Sequence, residues 1–384
     1  MTLDRRLWLA YFAALALGCT AIAAWGTILR PGSYKLLDWA INYEGGFTRR
    51  GLTGQIALEI AQLTGVSIAV QVFVLVSLLY AVILASVYRL WQRGDHDGRF
   101  TLLLAAPWFL LFPIVSHHGA GRKELLFLAD FALLCLSVSR NLPASATRKR
   151  LALFILTLPL ISLAHEGNAF FLGLPLALGL ALDLPKRSIG ILAMATLPTI
   201  VLLGWLSLAP PLATASIQAI CASLVGPLGA PALALDCAVT ENAVTWLGNT
   251  ASHATAAVRL HLPDYLHSLG PALILIALAF VPLRDLIKSH RAALIRGVVL
   301  STLCVVPLWF VAVDWGRFLY VIASCHALIL LTLRARAPHA APAPQGRVTT
   351  AAYALLWNLG YLAPLVGGGL VAKTLALSSP LYDP

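Results

Sequence analysis

Long apolar runs alternate with short polar segments along the whole chain. The runs lie near 7–29, 66–90, 100–115, 125–139, 151–164, 169–184, 188–210, 268–283, 297–313, 318–333 and 349–367. Because a helix needs about 20 mostly apolar residues to cross a bilayer, the pattern predicts an all-α polytopic membrane protein with about 11 transmembrane helices. We expect one transmembrane domain over residues 1–384.

The longest interruption of this pattern is residues 211–267. Its part 212–235 is uncharged and would suffice for another crossing, but that crossing would invert the orientation of every later helix. The basic segment 284–296 would then face outward. We therefore predict a long periplasmic loop with re-entrant or interfacial helices. This loop contains Cys221 and Cys237, for which the sequence leaves a disulfide and two free thiols equally open.

Composition excludes several classes of protein. Of the 384 residues, 59% are hydrophobic and 11% are charged, whereas a soluble domain has about 25% charged residues. This excludes a soluble enzyme, a disordered protein and a peripheral domain with one anchor. The net charge is +11. Since Lys and Arg prefer cytoplasmic loops, their distribution predicts an N-in/C-out protein of the bacterial inner (cytoplasmic) membrane, with no nucleic-acid partner.

Cations also occur where this rule disfavours them, in four polar motifs at the predicted outer ends of helices. The motifs span residues 43–51, 116–124, 165–168 and 314–317. Their cations are Arg49, Arg50, Arg122, Lys123 and Arg317. Guanidinium groups bind phosphate oxygens in pairs, so we predict an anion site. The alternatives are interfacial anchoring for Arg122 and Lys123, and ion pairs of Arg49 and Arg50 with Glu44 or Asp38.

Acidic residues and one histidine accompany these cations. Glu166 is a candidate general base with a pKa raised by partial burial, and His165 is a second candidate or a group that orients Glu166. The alternative is a helix cap formed with Asn168. Three acids are expected to support the site: Glu124 by tuning its charge, Asp314 by pairing with Arg317, and Asp130 from within a helix.

A groove with five cations and several acids at the outer lipid boundary suits a sugar carried on a lipid phosphate or diphosphate. Arginines would hold the phosphates and stabilise the charge of the leaving group. A carboxylate or histidine would accept the proton of an acceptor hydroxyl. We therefore expect the transfer to need neither a metal ion nor a cofactor.

The chain resembles integral-membrane glycosyltransferases of the GT-C type, and more narrowly Wzy/EpsG-like polysaccharide polymerases. The resemblance covers about residues 40–175, through Glu44-Gly45-Gly46, Gly121-Arg122-Lys123-Glu124 and His165, with Arg317 as a later addition. It implies a polyprenyl-diphosphate-linked oligosaccharide as donor, synthesis of O-antigen or exopolysaccharide, and other polysaccharide-assembly proteins as partners. A polyprenyl-monophosphate donor would instead favour Glu44 or Asp38 as the base.

A function of another class stays open. The same charges suit a transporter or flippase for a lipid head group or an anionic solute, although the sequence contains no inverted repeat. The sequence does not specify the sugar, the linkage or the acceptor.

Overall fold

The computed structural model describes residues 3–30, 32–116, 119–227, 237, 242–312, 314–337 and 353, without the side chains of 3–5, 264, 265, 267, 268 and 271. The predicted last span, 349–367, lies outside the described residues apart from Tyr353.

The described part of the chain is helical and contains no strand. Its α-helices are α1 (Leu3–Thr27), α2 (Tyr34–Ala40), α3 (Leu52–Thr64), α4 (Ile68–Arg93), α5 (Thr101–Leu104), α6 (Phe112–Val115), α7 (Glu124–Val138), α8 (Ala144–Ala164), α9 (Gly173–Ala181), α10 (Lys186–Ala195), α11 (Leu197–Leu208), α12 (Thr214–Ser223), α13 (Ala251–Phe280), α14 (Arg284–Ser289), α15 (Arg291–Val311) and α16 (Trp315–Arg336). Short 3-10 helices cover Gly98–Phe100, Glu166–Leu172, Thr245–Gly248 and Val281–Leu283.

Five helical segments of the described part are long and apolar enough to cross a membrane. They are Arg6–Thr27, Ile68–Arg93, Lys186–Leu208, Arg291–Val311 and Trp315–Arg336. The all-helical prediction and the membrane-spanning character are therefore supported, while eleven spans and the N-in/C-out orientation stay predictions.

Several predicted spans have a different local structure. The run 100–115 is divided between α5 and α6. Pro107 lies in the interruption, since proline cannot donate the backbone hydrogen bond of a helix interior, and Pro113 stands in the first turn of α6, where that donor is not needed. The run 169–184 begins as the 3-10 helix Glu166–Leu172 and continues as α9. The run 268–283 forms the second half of α13, which starts inside the predicted loop 211–267.

Helix α16 lies at the centre of the packing. Most of its residues are buried, and it packs on α4, α7 and α9. Helix α1 packs along α4, and α15 packs along α9. Since α16 begins beside the Asp314–Arg317 motif, this packing carries Arg317 to the same end of the bundle as the start of α7.

The predicted loop 211–267 folds against the segment that connects α1 with α4. Cys221 and Cys237 form a disulfide, with their Cα atoms 5.7 Å apart. The Asn42 side-chain amide donates to Ser223 Oγ at 2.9 Å. A Cβ on Gly45 would stand 2.2 Å from the Ser216 carbonyl oxygen, so this contact requires glycine. These contacts pack α12 against the connection from α1 to α4.

Candidate functional site

Residues of the four polar motifs meet at one cavity of about 1500 Å³. Those that line it are Arg49, Arg50, Arg122, His165, Glu166, Asp314 and Arg317. Lys123 and Glu124 are buried at the start of α7 and contact these residues. The spatial convergence expected from the sequence is thus present in the fold.

Arg50 and Glu166 form a bidentate ion pair across the cavity wall. The Arg50 Nε donates to Glu166 Oε2 at 2.8 Å, and its terminal nitrogen donates to Oε1 at 2.7 Å. Arg49 approaches the same carboxylate, with Nε 3.6 Å from Oε1. The Lys123 ammonium donates to the Arg50 carbonyl at 2.9 Å. The connection between α2 and α3 is therefore tied to the start of α7 and to the 3-10 helix Glu166–Leu172.

A second group of charges lies at the start of α16. Arg317 donates to Glu124 Oε1 at 2.8 Å and also binds Asp314. The predicted Asp314–Arg317 pair is present, but Arg317 divides its charge between two carboxylates. Because its side chain is only 10% exposed, it depends on both for compensation.

Asp38, on α2, is the most deeply buried acid of the cluster. It is fully buried, and neither carboxylate oxygen accepts a hydrogen bond from the described residues. Its oxygens lie 3.8 Å from Arg50 and 3.9 Å from Arg122. Burial would raise the pKa of Asp38, but the charges of Lys123 and Arg122 outweigh it and lower the pKa to about 2. A buried ionised carboxylate here is held by surrounding cations.

A turn at Gly121 sets the position of Arg122 and Lys123. Gly121 has φ +71°, a conformation that glycine adopts without a steric penalty. Its carbonyl accepts from the Trp39 indole at 2.8 Å, and its N–H donates to the Tyr80 hydroxyl at 2.8 Å. Helices α2 and α4 thereby hold the turn from which α7 starts.

The expected raised pKa of Glu166 is wrong. Burial does raise it, but the charge of Arg50 is stronger and holds the pKa of this carboxyl well below its usual range. The sequence pattern could not reveal this partner, because Arg50 lies 116 residues away. Glu166 is therefore ionised at neutral pH.

His165 is neutral and carries its proton on Nε2. Burial, and then the charge of Arg50, lower its pKa to about 4. Its Nδ1 accepts from the Gly167 N–H at 2.9 Å, so the proton of the neutral ring lies on Nε2. Nε2 lies 3.9 Å from Glu124 Oε1 and has no hydrogen-bond partner within the described chain. His165 also caps the 3-10 helix Glu166–Leu172, so the alternative of a helix cap at this segment is present in the fold at His165.

Two of the predicted site residues lie elsewhere. Glu44 is exposed on the turn after α2 and does not line the cavity. Asp130 lies on α7 and accepts from the Thr157 hydroxyl at 3.0 Å; it is not among the lining residues either. Within the described part of the chain, Glu44 as a base and Asp130 as support therefore lie outside the cavity lining that the other site residues form or contact.

Two cations of the cavity, Arg30 and Lys35, were not predicted from the sequence. Arg30 lies in the short connection after α1 and Lys35 in the first turn of α2, where a single cation resembles an ordinary interfacial anchor. Burial, and then the charge of Arg122, lower the pKa of Lys35 to about 8. The clustering of like charges indicates a site that accepts an anion.

The cavity has an excess of positive charge. Six cations line it, namely Arg30, Lys35, Arg49, Arg50, Arg122 and Arg317, against the two carboxylates Glu166 and Asp314. With Lys123, Asp38 and Glu124 included, seven cations face four carboxylates, an excess of three charges. Apolar walls complete the cavity, formed in part by Trp25, Leu29, Leu203, Leu206, Leu308 and Val311.

Comparison with known proteins gives no relative: no family model, no curated protein and no solved structure matches this chain. Within the described residues, no group of three or more His, Cys, Asp or Glu side chains is arranged to hold a metal ion.

Proposed function

We propose that the protein is a membrane glycosyltransferase that transfers a sugar or oligosaccharide from a polyprenyl-diphosphate donor during cell-surface polysaccharide synthesis, in the manner of a Wzy-like polymerase. One observation carries the proposal: a cavity with three excess positive charges lies between apolar helix walls. A sugar on a lipid phosphate has the matching anionic and apolar parts.

The proposal includes the full membrane topology predicted from the sequence. Eleven spans with the N-terminus inside and the C-terminus outside would place the cavity on the periplasmic side of the inner membrane. Basic segments such as α14 would then face the cytoplasm, in agreement with the positive-inside tendency. The disulfide on the cavity side suits an oxidising compartment.

The proposed reaction is a displacement at the anomeric carbon of the donor sugar. The acceptor hydroxyl oxygen bonds to that carbon as the bond to the lipid phosphate oxygen breaks, and the electron pair leaves with the phosphate. Cations of the cavity stabilise the charge on the leaving group. The hydroxyl proton passes to a carboxylate of the protein.

We assign the proton to Glu166. Glu166 is ionised and lines the cavity. Its side chain is 17% exposed and that of Asp314 is 45% exposed, so Glu166 is the more shielded from solvent of the two lining carboxylates. A carboxylate has more lone pairs than the Arg50 pair uses. His165 Nε2 is oriented to donate to the substrate, because its tautomer leaves no lone pair there.

The test is transfer in proteoliposomes from a polyprenyl-diphosphate oligosaccharide. Glu166→Gln should lower kcat by at least about a hundredfold, whereas Asp314→Asn should change it by less than about tenfold. Lys288→Gln on α14, far from the cavity motifs in the chain, serves as control. Full transfer by Glu166→Gln would refute this base, and absence of transfer by the wild type from any lipid-linked sugar would refute the proposed function in favour of a transporter.

One observation favours a second donor, a polyprenyl-monophosphate sugar. The acid of the first outer connection that joins the cluster is Asp38, which contacts Arg50 and Arg122, whereas Glu44 does not. The same assay with a monophosphate donor separates the two: activity with that donor alone, abolished in Asp38→Asn, would support this second function.

A further inference from the structure

The cations of the cavity fall into two groups by their partners. Arg50 and Arg317 each donate at close range to a carboxylate, Glu166 and Glu124 respectively. Arg122 has no such partner: its nearest carboxylate oxygen is 3.9 Å away on Asp38. Its Nε is buried and has no hydrogen bond within the described chain. Carboxylates at hydrogen-bond distance therefore compensate the charges of Arg50 and Arg317. The charge of Arg122 has no carboxylate at that distance.

Aromatic rings position Arg122 and its neighbour Arg30. The Arg122 guanidinium lies over the Tyr34 ring at 4.5 Å, and the Arg30 guanidinium lies over the Trp25 ring at 4.4 Å. A ring face fixes a guanidinium and leaves its N–H groups available for a ligand. A carboxylate at the same place would neutralise the charge.

The Lys35 side chain packs between α1 and the Gly121 turn, next to the residue that precedes Arg122. On one side is Gly26 of α1, where a Cβ would stand 3.0 Å from Lys35 Cδ and 3.6 Å from its ammonium nitrogen. On the other side is the Gly121 turn, where a Cβ would stand 3.9 Å from Cδ. The lysine therefore runs between α1 and the residue before Arg122 and lines the cavity.

We propose that Lys35 and Arg122 form the subsite for the phosphate group of the lipid donor, with Arg30 at its outer edge. This inference rests on the proposed function and divides the cavity: the phosphate binds on the α1–α2 side, and the sugar lies towards Glu166 and His165. The site is at the end of α1, so the polyprenyl chain leaves the cavity along the apolar surface that includes Leu29.

The experiment measures binding of polyprenyl monophosphate to the full chain by native mass spectrometry. Polyprenol, which lacks the phosphate, is the matched ligand, and phosphatidylglycerol and inorganic phosphate identify other sources of a phosphate group. The wild type should bind polyprenyl monophosphate about tenfold or more tightly than polyprenol, because charge-assisted hydrogen bonds to phosphate add to the tail contacts.

Lys35→Gln should weaken binding of polyprenyl monophosphate about tenfold and leave polyprenol binding unchanged. Lys35→Arg should retain most of the affinity, and Lys288→Gln should match the wild type. Unchanged binding in Lys35→Gln would overturn the subsite, as would an equal loss of both ligands. A wild type that binds phosphatidylglycerol or inorganic phosphate as well as the polyprenyl phosphate would also overturn it.

A transfer assay on the same variants separates the two proposals. If the wild type transfers sugar and Lys35→Gln binds the lipid phosphate normally, the subsite is wrong and the glycosyltransferase function stands. If the wild type binds polyprenyl monophosphate in the predicted manner but transfers no sugar, the transfer function is wrong and the subsite stands.

Discussion

At the scale of single residues, His165 gives the site a pH dependence. Its pKa is about 4 in the folded protein and 6.5 in a model compound, so the unfolded chain binds the extra proton between these values. The contribution of the neutral His165 to the free energy of unfolding is fully present above pH 6.5 and is lost as the pH is lowered towards 4. Between pH 7 and pH 5, we expect a loss of about 2 kcal/mol from this group.

The measurement is denaturant unfolding of the wild type and His165→Gln at pH 7 and pH 5. The variant should lack this part of the pH dependence, and the difference between the two proteins isolates His165 from other titrating groups. An identical pH dependence in both proteins would contradict the buried, neutral state of His165. The carboxylates Asp38 and Glu166 lose charge only at lower pH, because their pKa values are depressed.

The sequence predicted the site cations well, and its acid chemistry poorly. Arg122 and Lys123 were recognisable because cations at the outer start of a helix oppose two general tendencies. The lowered pKa of Glu166 was not recognisable from the sequence, because the charge of Arg50 causes it and only the tertiary fold brings Arg50 near. Lys35 was missed because its place in the cavity depends on the packing of α1 and the Gly121 turn, which only the tertiary fold brings together.

At the scale of helices, an ion pair joins the end of α16 to the chain after α4. Asp97 is fully buried and accepts from Arg334 at 2.8 Å, while Arg99 binds the same carboxylate at 2.6 Å. Removing one partner of a buried pair leaves an uncompensated charge. Asp97→Asn should therefore lower the free energy of unfolding by about 3 kcal/mol.

Asp285→Asn is the matched control for this prediction. Asp285 lies 3.7 Å from Arg284, but both side chains are mostly exposed, and exposed pairs contribute little. Equilibrium unfolding in mixed micelles should show a loss for Asp97→Asn alone. Equal stability of the two variants would show that the Asp97–Arg334 contact does not hold α16.

Long helices could be predicted from the sequence, and short ones could not. The long apolar run of α4 was located to within three residues at each end, because burial in lipid requires an uninterrupted apolar segment. Helix α15 begins at Arg291, six residues before the predicted run, because its first turns contain two arginines. Helix α2, with seven residues, is too short for periodicity to reveal, although it carries both Asp38 and Lys35. The division of 100–115 falls around Pro107, a single proline within an otherwise apolar run.

At the scale of the whole molecule, the membrane topology is the main prediction still to be tested. Ser252, at the start of α13, and Ser289, at the end of α14, are both exposed. The predicted orientation places them on opposite sides of the membrane, because the second half of α13 crosses it. A membrane-impermeant maleimide added outside spheroplasts should label Ser252→Cys and not Ser289→Cys. Labelling of Ser289→Cys alone would invert the proposed orientation.

The turn at Gly121 has a consequence for the energetics of ligand capture. Its peptide is held by Trp39 and Tyr80, which lie 82 and 41 residues away in the chain. Arg122 is thus preorganised, and a bound anion loses little free energy in ordering it. Gly121→Ala removes no charge from the cavity, yet it strains this turn, and we expect affinity for an anionic ligand to fall through a faster dissociation rate. If the cavity binds an anion as proposed, we expect its affinity to depend on the packing of α2, α4 and the start of α7, and to change without any substitution of a residue that contacts the ligand.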